Sequence, residues 1–189
     1  MPQHLVTEPS GSNHNALSIH DESGGRFVVI MRTIPLSNSH KVAIVDDADY
    51  DDLSQYTWRL QAMPHLSNSL EYAVRHVERG VIMPMHRQIL KPKSKQVVDH
   101  ISGDGLDNQR ENLRACTHQQ NLWNRKPNTL GTSPYKGVYF AKYCGRWMAQ
   151  IVVNGKKIRK TFSSEMDAAR HYNLLAKTHY GEYARLNAV

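Results

Sequence analysis

Runs of apolar and β-branched residues, separated by turn-forming residues, divide the first half of the chain into short predicted elements. Residues 26–36 and 41–45 are typical of strands. Residues 70–77 and 81–85 predict a hairpin, because the intervening Glu-Arg-Gly supplies a turn. Residues 1–24 have no apolar period and are rich in Ser, Asn, Gly and Pro, so we expect a flexible leader there.

In the middle of the chain the pattern predicts a short helix, a strand, a polar loop, a second strand and a second short helix. A helix is predicted over residues 86–90, and the second helix begins at Thr117, which has the capping-box spacing to Gln120. Pro92 limits the first helix. Between the two helices lie a predicted strand at 96–99, a polar loop at 101–112 and a second strand at 113–116, and the second helix covers residues 117–125.

Beyond residue 134 the pattern predicts three strands and one helix. Asn154-Gly155 between the second and third strand-like runs is a strong hairpin signal. Apolar residues at helical spacing run from Met166 to Ala176. Ser163 or Ser164 is the expected N-cap, and Gly181 the expected end. The fold class predicted for the whole chain is α+β.

These patterns give four segments. We expect a leader at 1–25, a domain at 26–125 with a β-rich start, a linker at 126–134 and a second domain at 135–189. The linker contains two prolines and several small polar residues.

The net charge of +7 is unevenly distributed along the chain. Residues 133–189 hold ten of the 24 basic side chains and three of the 17 acidic ones, so this segment carries the whole surplus. A neutral body followed by a basic module favours a polyanionic partner, and nucleic acid is the first candidate.

Several classes of protein are excluded by composition. No apolar run approaches the roughly 20 residues that a membrane span needs. The first residues lack the basic start and apolar stretch of a secretory signal. Two cysteines cannot build a four-thiolate zinc site or a disulfide scaffold, and they are typical of reduced thiols in a cytoplasmic protein.

Five aspartates between Asp46 and Asp52 suggest either a metal cluster or the start of a short helix. We favour the helix, in which acidic groups cap amides and complement the dipole.

The candidate chemistry lies around Asp99 and His100. A strand, loop, strand and helix in this order can bring Asp99 and Asn121 face to face. Both offer oxygen ligands, which suit one divalent cation, Mg²⁺ or Mn²⁺. His100 points to the opposite side of the strand from Asp99, so it can act as a base on water without binding the metal.

This segment resembles the HNH (ββα-metal) homing endonucleases of phages over about residues 26–126. The resemblance rests on Asp99-His100, the loop sequence GDGLDN, the sequence RENLR, Gln120-Asn121 and Asn124-Arg125. It implies that His100 is the general base, that Asn112 holds the loop and orients the base, and that Asp99 and Asn121 hold the metal. It also implies cleavage products with 5′-phosphate ends.

Two further histidines have open roles. His118 lies one turn before Asn121 and is either an extra ligand, a phosphate contact or a solvent-exposed residue. His86 is expected to pack or to contact phosphate.

The C-terminal module resembles AP2/ERF-type DNA-binding domains, on the motifs YKGV, GRW-x-A-x-I and DAA with Tyr172. Strand alternation predicts that Trp147, Ala149 and Ile151 pack on the helix. The other face, with Arg146, Met148, Gln150 and Val152, would lie in the major groove. The predicted DNA-binding residues are Lys136, Tyr139, Lys142, Arg146, Gln150 and Arg159. The loop before the second strand, AKYCGRW, is one residue longer than the pattern, and a shift or bulge in the third strand, KKIRKTF, stays open. The facing of the third strand is therefore not assigned.

The sequence therefore predicts a site-specific, metal-dependent DNA endonuclease that acts on double-stranded DNA, as a monomer or a dimer. The alternatives are a DNA-binding regulator with a vestigial nuclease, and a structural RNA-binding protein.

Overall fold

The computed structural model describes residues 14–20, 26–63, 70–127 and 131–189. Short helices and small antiparallel sheets make up these residues, in agreement with the predicted α+β class. The strands are β1 (His14–His20), β2 (Arg26–Pro35), β3 (Val42–Asp46), β4 (Arg59–Met63), β5 (Leu70–His76), β6 (Ile82–Pro84), β7 (Val97–His100), β8 (Leu113–Cys116), β9 (Val138–Ala141), β10 (Arg146–Val153) and β11 (Lys156–Phe162). The helices are α1 (Asp47–Leu53), α2 (Met85–Leu90), α3 (His118–Asn124) and α4 (Glu165–Tyr180). None of the helices described is long and apolar enough to cross a membrane.

The first sheet has the order β1-β2-β3 and corrects the prediction of a flexible leader. β1 pairs antiparallel with β2 over its whole length, from His14 opposite Arg32 to His20 opposite Arg26. The ten-residue β2 is twice as long as β3, so it offers backbone hydrogen bonds beyond the end of β3. β1 has no apolar run of its own and forms by pairing with the neighbouring β2. The rest of the predicted leader, residues 1–13 and 21–25, lies outside the described residues.

The second sheet, β4-β5-β6, contains the predicted hairpin of β5 and β6, and a single turn of 3-10 helix (Glu78–Gly80) connects the two strands. One apolar core joins both sheets to the middle segment. Its fully buried side chains include Leu36, Trp58 and Met85, and it extends to Val98 and Leu113. The two central strands β7 and β8 are therefore held by the same core as the β-rich start.

The aspartate-rich segment forms α1, as predicted, but Asp46 does not cap it. Its side chain makes no cap hydrogen bond with the helix. Instead it accepts from the backbone N–H of Arg110 (2.8 Å) and from Gln109 Nε2 (3.3 Å) in the polar loop. Asp49 forms a two-pronged ion pair with Arg110. The acidic cluster thus ties the polar loop to the first sheet, and the residues described contain no group of three metal-ligating side chains.

The polar loop between β7 and β8 is packed against both sheets. Ile44 in β3 exchanges backbone hydrogen bonds with the loop, donating to Leu106 O (2.9 Å) and accepting from Asn108 N (2.8 Å). Gly105 lies so close to β5 that a Cβ there would be 2.2 Å from Glu71 O. Only glycine fits this approach, so the loop is fixed in place rather than free in solvent.

The third sheet has the order β11-β10-β9 and packs against α4. Asn154 and Gly155 both have positive φ (50° and 76°), as a tight hairpin turn requires. The Ser164 side chain caps α4 by accepting from Asp167 N, and the helix ends at Gly181. These features confirm the predicted turn, N-cap and helix end.

The facing of β10 and β11 follows from their pairing. Ala149 and Ile151 are buried against α4 and Trp147 packs beside them, as predicted. β11 pairs residue by residue with β10 and has no bulge, so Arg159 lies opposite Gln150 on the other face. On that face Met148 is only 4% exposed, whereas the sequence placed it in the solvent-facing row.

The C-terminal module is docked on α3. The rings of Trp123 and Tyr180 stack with centroids 4.4 Å apart. Arg185 N donates to Trp123 O (3.2 Å), and Arg114 Nη1 donates to Glu182 O (2.8 Å). Residues 128–130 of the predicted linker lie outside the described residues, but α3 before the linker and α4 of the C-terminal module are in contact with one another.

Candidate active site

A two-stranded hairpin of β7 and β8 presents Asp99. Its cross-strand neighbour is Arg114, and opposed residues of an antiparallel pair share one face. Arg114 Nε and Nη2 lie 2.9 and 2.7 Å from Asp99 Oδ2. The carboxylate and the guanidinium are both largely buried, with 5% and 13% of their side-chain surface exposed. This ion pair was not predicted from the sequence, because the predicted strand at 96–99 ends one residue before the observed β7.

Asn124 in the last turn of α3 is the second partner of Asp99. Its Nδ2 lies 3.0 and 3.1 Å from the two carboxylate oxygens and 2.9 Å from the backbone oxygen of His100. The side chain is 7% exposed. Asn124 therefore locks α3 onto the end of β7. In the sequence Asn124 belongs to the HNH-like motif without an assigned role, and its three-residue spacing from Asn121 places both amides on one helix face.

The imidazole of His100 is buried at the end of β7 among other rings. The His86 ring meets it edge-on at 5.0 Å, and the Tyr72 ring lies 5.7 Å away. Burial lowers the pKa of His100, although Asn108, Asp99 and Asp104 oppose this shift. Its Nε2 is buried and has no hydrogen-bond partner among the residues described. A neutral, unpartnered imidazole nitrogen is suited to accept a proton from a bound water.

His86 packs against this imidazole rather than facing solvent. Burial, together with the nearby His100 and Arg87, lowers the pKa of His86 to about 3. It is therefore neutral at pH 7 and adds no positive charge beside His100. Packing was one of the roles the sequence left open.

Asn112 anchors the polar loop from within. Its Oδ1 accepts from Ser102 N (2.8 Å) and its Nδ2 donates to Asp107 O (2.8 Å). Its backbone oxygen accepts from Ile101 N (2.8 Å). The backbones of Ser102 and Asp107 in the loop that follows His100 are thus both tied to the buried Asn112 side chain.

Asp99, His100 and Asn121 line one cleft of about 230 Å³, together with Tyr72, Arg125 and Lys126. The structure places Asn121 on the α3 face that meets the cleft, where its side chain forms no hydrogen bond with the residues described. α3 is oriented by the predicted capping box between Thr117 and Gln120. His118 is exposed at the first turn of α3 and does not line the cleft.

The donor set of this cleft fits a divalent cation of the oxygen-preferring kind. Asp99 Oδ1 is engaged by Asn124 alone, because Arg114 binds only Oδ2. One carboxylate oxygen and the Asn121 amide oxygen are hard ligands, and Mg²⁺ takes its remaining positions from water and substrate phosphate.

The predicted DNA-binding residues lie in three settings. Tyr139, Arg146, Gln150 and Arg159 belong to the sheet face opposite α4, and Arg159 Nε donates to Gln150 Oε1 (2.7 Å). Lys142 is exposed in the hairpin loop between β9 and β10.

Lys136 is different, because its ammonium is turned into the protein. Nζ donates to the backbone oxygens of Leu122 and Trp123 at the end of α3. Burial lowers the pKa of Lys136 to about 8, and Arg185 and Arg125 act in the same direction. Lys136 therefore braces the end of α3, whereas the sequence placed it among the predicted DNA-binding residues.

Comparison with known proteins finds a similarity to HNH endonucleases in the central segment. Residues 92–122 match the HNH endonuclease family. The chain is 35% identical over 114 residues to an uncharacterised HNH endonuclease of Acanthamoeba polyphaga mimivirus, covering 57% of this chain and 58% of that protein. It is 33% identical over 60 residues to Protein 3.8 of Escherichia phage T7, covering 32% of this chain and 50% of that protein.

A second uncharacterised HNH endonuclease of the mimivirus is 38% identical over 78 residues, 41% of this chain and 17% of that protein. The chain thus spans 58%, 50% and 17% of the lengths of these three relatives, less than two thirds of each. No solved structure matches it. The matched segment contains the β7–β8 hairpin and most of α3, so this central part of the chain is similar to HNH endonuclease domains.

Proposed function

We propose that this protein is a site-specific, metal-dependent endonuclease of the homing type that cuts double-stranded DNA. The observation that carries the proposal is the meeting of three features in one cleft: the buried, unpartnered His100 nitrogen, the Asp99 carboxylate and the Asn121 amide. The HNH endonuclease match over residues 92–122 supports it.

In this reaction His100 is the general base. Its lowered pKa keeps the ring neutral, so it takes a proton from the attacking water as the water approaches phosphorus. The Asn112 contacts hold the loop that follows His100, and the Asn124 contacts hold its backbone oxygen, so the ring is positioned from both sides.

Asp99 and Asn121 would hold one divalent cation, Mg²⁺ or Mn²⁺. When bound, this ion supplies positive charge that stabilises the phosphate oxygens and the departing 3′-oxygen. Arg114 fixes the orientation of the Asp99 carboxylate by binding Oδ2, which leaves Oδ1 directed to α3.

The basic C-terminal module would bind the duplex through the sheet face that carries Arg146, Gln150 and Arg159. Arginine on such a face pairs with guanine edges and glutamine with adenine. The exposed lysines of β11 would contact phosphates, which contribute affinity without sequence preference.

The test is nicking of supercoiled plasmid that carries candidate target DNA, in Mg²⁺, in Mn²⁺ and in EDTA. The proposal predicts open-circular DNA only when a divalent ion is present. Tight, salt-sensitive binding of plasmids from a broad target library without any cutting would instead support a DNA-binding regulator.

A further inference from the structure

Two cationic side chains from different modules meet over the loop that follows His100. Arg185, near the end of the chain, donates from Nη1 to Ser102 O (3.1 Å). A Cβ placed on Gly103 would be 3.0 Å from Arg185 Nη1 and 3.1 Å from Lys126 Cε. Gly103 and Lys126 both line the cleft, so Arg185 lies at its rim.

These cations are not neutralised by the protein. Within the described part of the chain, neither Arg185 nor Lys126 forms an ion pair, and the same holds for Arg125 at the cleft wall. Asp99 is engaged by Arg114. Asp104 uses Oδ1 to accept from Leu106 N and makes no ion pair with the described residues. Arg185 Nη1 and Lys126 Cε both lie beside Gly103, and like charges repel, so the arrangement favours binding of an anion there.

The C-terminal segment that carries Arg185 is held firmly in position. Its backbone N–H donates to Trp123 O, and the Tyr183 ring lies over the Arg114 guanidinium at 4.3 Å. The Trp123–Tyr180 stack fixes α4 against α3. A guanidinium held this way loses little conformational freedom when it binds a ligand.

We propose that Arg185 and Lys126 form a subsite for a DNA phosphate next to the scissile one, so that the C-terminal module supplies a substrate-binding residue to the nuclease cleft. This inference rests on the proposed function, since the ligand is the DNA backbone that enters the cleft. The guanidinium contacts the phosphate oxygens directly, and Lys126, which also lies beside Gly103, adds a second positive charge.

The test measures binding of a random-sequence 30-base-pair duplex to the full-length protein in EDTA, over a range of salt concentrations. Arg185→Gln removes the charge but keeps a donor for Ser102 O, and Arg185→Lys restores the charge. Arg170→Gln is the control, because this exposed arginine of the same module is paired with Asp167. We expect Arg185→Gln to reduce the slope of log K against log salt by about 0.9, the value for one phosphate contact.

Arg185→Lys should retain the slope, and Arg170→Gln should leave it unchanged. A slope that stays at the parent value in Arg185→Gln overturns the inference, even if the parent protein nicks plasmid. A lower thermal midpoint with an unchanged slope also overturns it, because Arg185 would then be only structural. If the slope falls but the parent protein cuts no plasmid, the phosphate contact stands and the endonuclease proposal fails.

Discussion

At the scale of single residues, the site is defined by what Asp99 and His100 contact. Asp99 is a buried carboxylate whose partners are Arg114 and Asn124, and His100 is a buried imidazole whose neighbours are rings. Hydrogen bonds hold the Asp99 carboxylate in place, whereas His100 Nε2 is left to bind water.

Removal of the Arg114 side chain should destabilise the protein strongly. Arg114→Met leaves the Asp99 charge buried without its main partner, a change that costs about 3–5 kcal/mol. Arg110→Met is the matched control, because its two-pronged pair with Asp49 has a half-exposed arginine. We expect that control to lose about 1 kcal/mol or less. Equal losses in urea unfolding of the two variants would contradict the account.

His86 should make the protein less stable in acid. Because burial lowers the pKa of His86 from 6.5 to about 3, the unfolded chain binds a proton that the native state excludes between these values. The stability contributed by the neutral, buried His86 is therefore complete above pH 6.5, and it is lost as the pH falls from 6.5 towards 3. The slope contributed by one such group approaches about 1.4 kcal/mol per pH unit.

The variant His86→Phe keeps a ring in the same site but does not titrate. Its free energy of unfolding, measured from pH 7.5 to pH 4, should fall less steeply than that of the parent protein. Parallel pH profiles would show that the parent's acid sensitivity has another origin.

At the scale of elements, α3 connects the site to the rest of the molecule. It carries Asn121 and Asn124 on one face and Trp123 on another, and its start is fixed by the Thr117 capping box. The helix has only seven residues, so its stability depends on its caps and on packing.

Loss of the Thr117 cap should therefore weaken both stability and cutting. Thr117→Ala is expected to cost about 1 kcal/mol of unfolding free energy and to slow plasmid nicking, because both asparagines lose their support. Thr117→Ser keeps the hydroxyl and should behave like the parent protein. An alanine variant with parental stability in urea would contradict this role for the cap.

The sequence predicted most of these elements because their signals are local. The Thr117 box, the Asn154-Gly155 turn and the Gly181 helix end each depend on residues within one turn of each other. β1 was missed because it forms by pairing with β2, and Asp46 was misassigned because its partners lie more than 60 residues away. The roles of Arg114 and Asn124 were missed for the same reason, since their contacts depend on how β7, β8 and α3 pack.

At the scale of the whole molecule, two cores meet at one junction. The first core holds the β-rich start and the central hairpin, and the second lies between α4 and its sheet. Trp123 packs against the second core, so deletion of residues 133–189 would expose α3 as well as remove basic charge. Charge substitutions on the folded protein are therefore a cleaner test of DNA binding than truncation.

The sheet face opposite α4 should contribute measurably to DNA affinity. Arg146→Gln and Arg159→Gln together are expected to weaken duplex binding, and each lost phosphate contact lowers the salt slope by about 0.9. A base contact would instead lower affinity for the preferred sequence with little change of slope. Arg59→Gln, an exposed arginine on β4, is the control. Parental affinity and slope in the double variant would contradict the proposed DNA-binding face.

The most direct test of the central claim is plasmid nicking by the parent protein and by His100→Ala, with Mg²⁺, with Mn²⁺ and with EDTA. We expect metal-dependent open circles with the parent protein, no cutting by His100→Ala, and nearly unchanged DNA affinity of that variant. His100→Gln serves as a second variant in case the alanine protein fails to fold. Cutting that persists in a folded His100 variant, or that continues at the same rate in EDTA, would contradict the assignment of His100 and its cleft as the catalytic site.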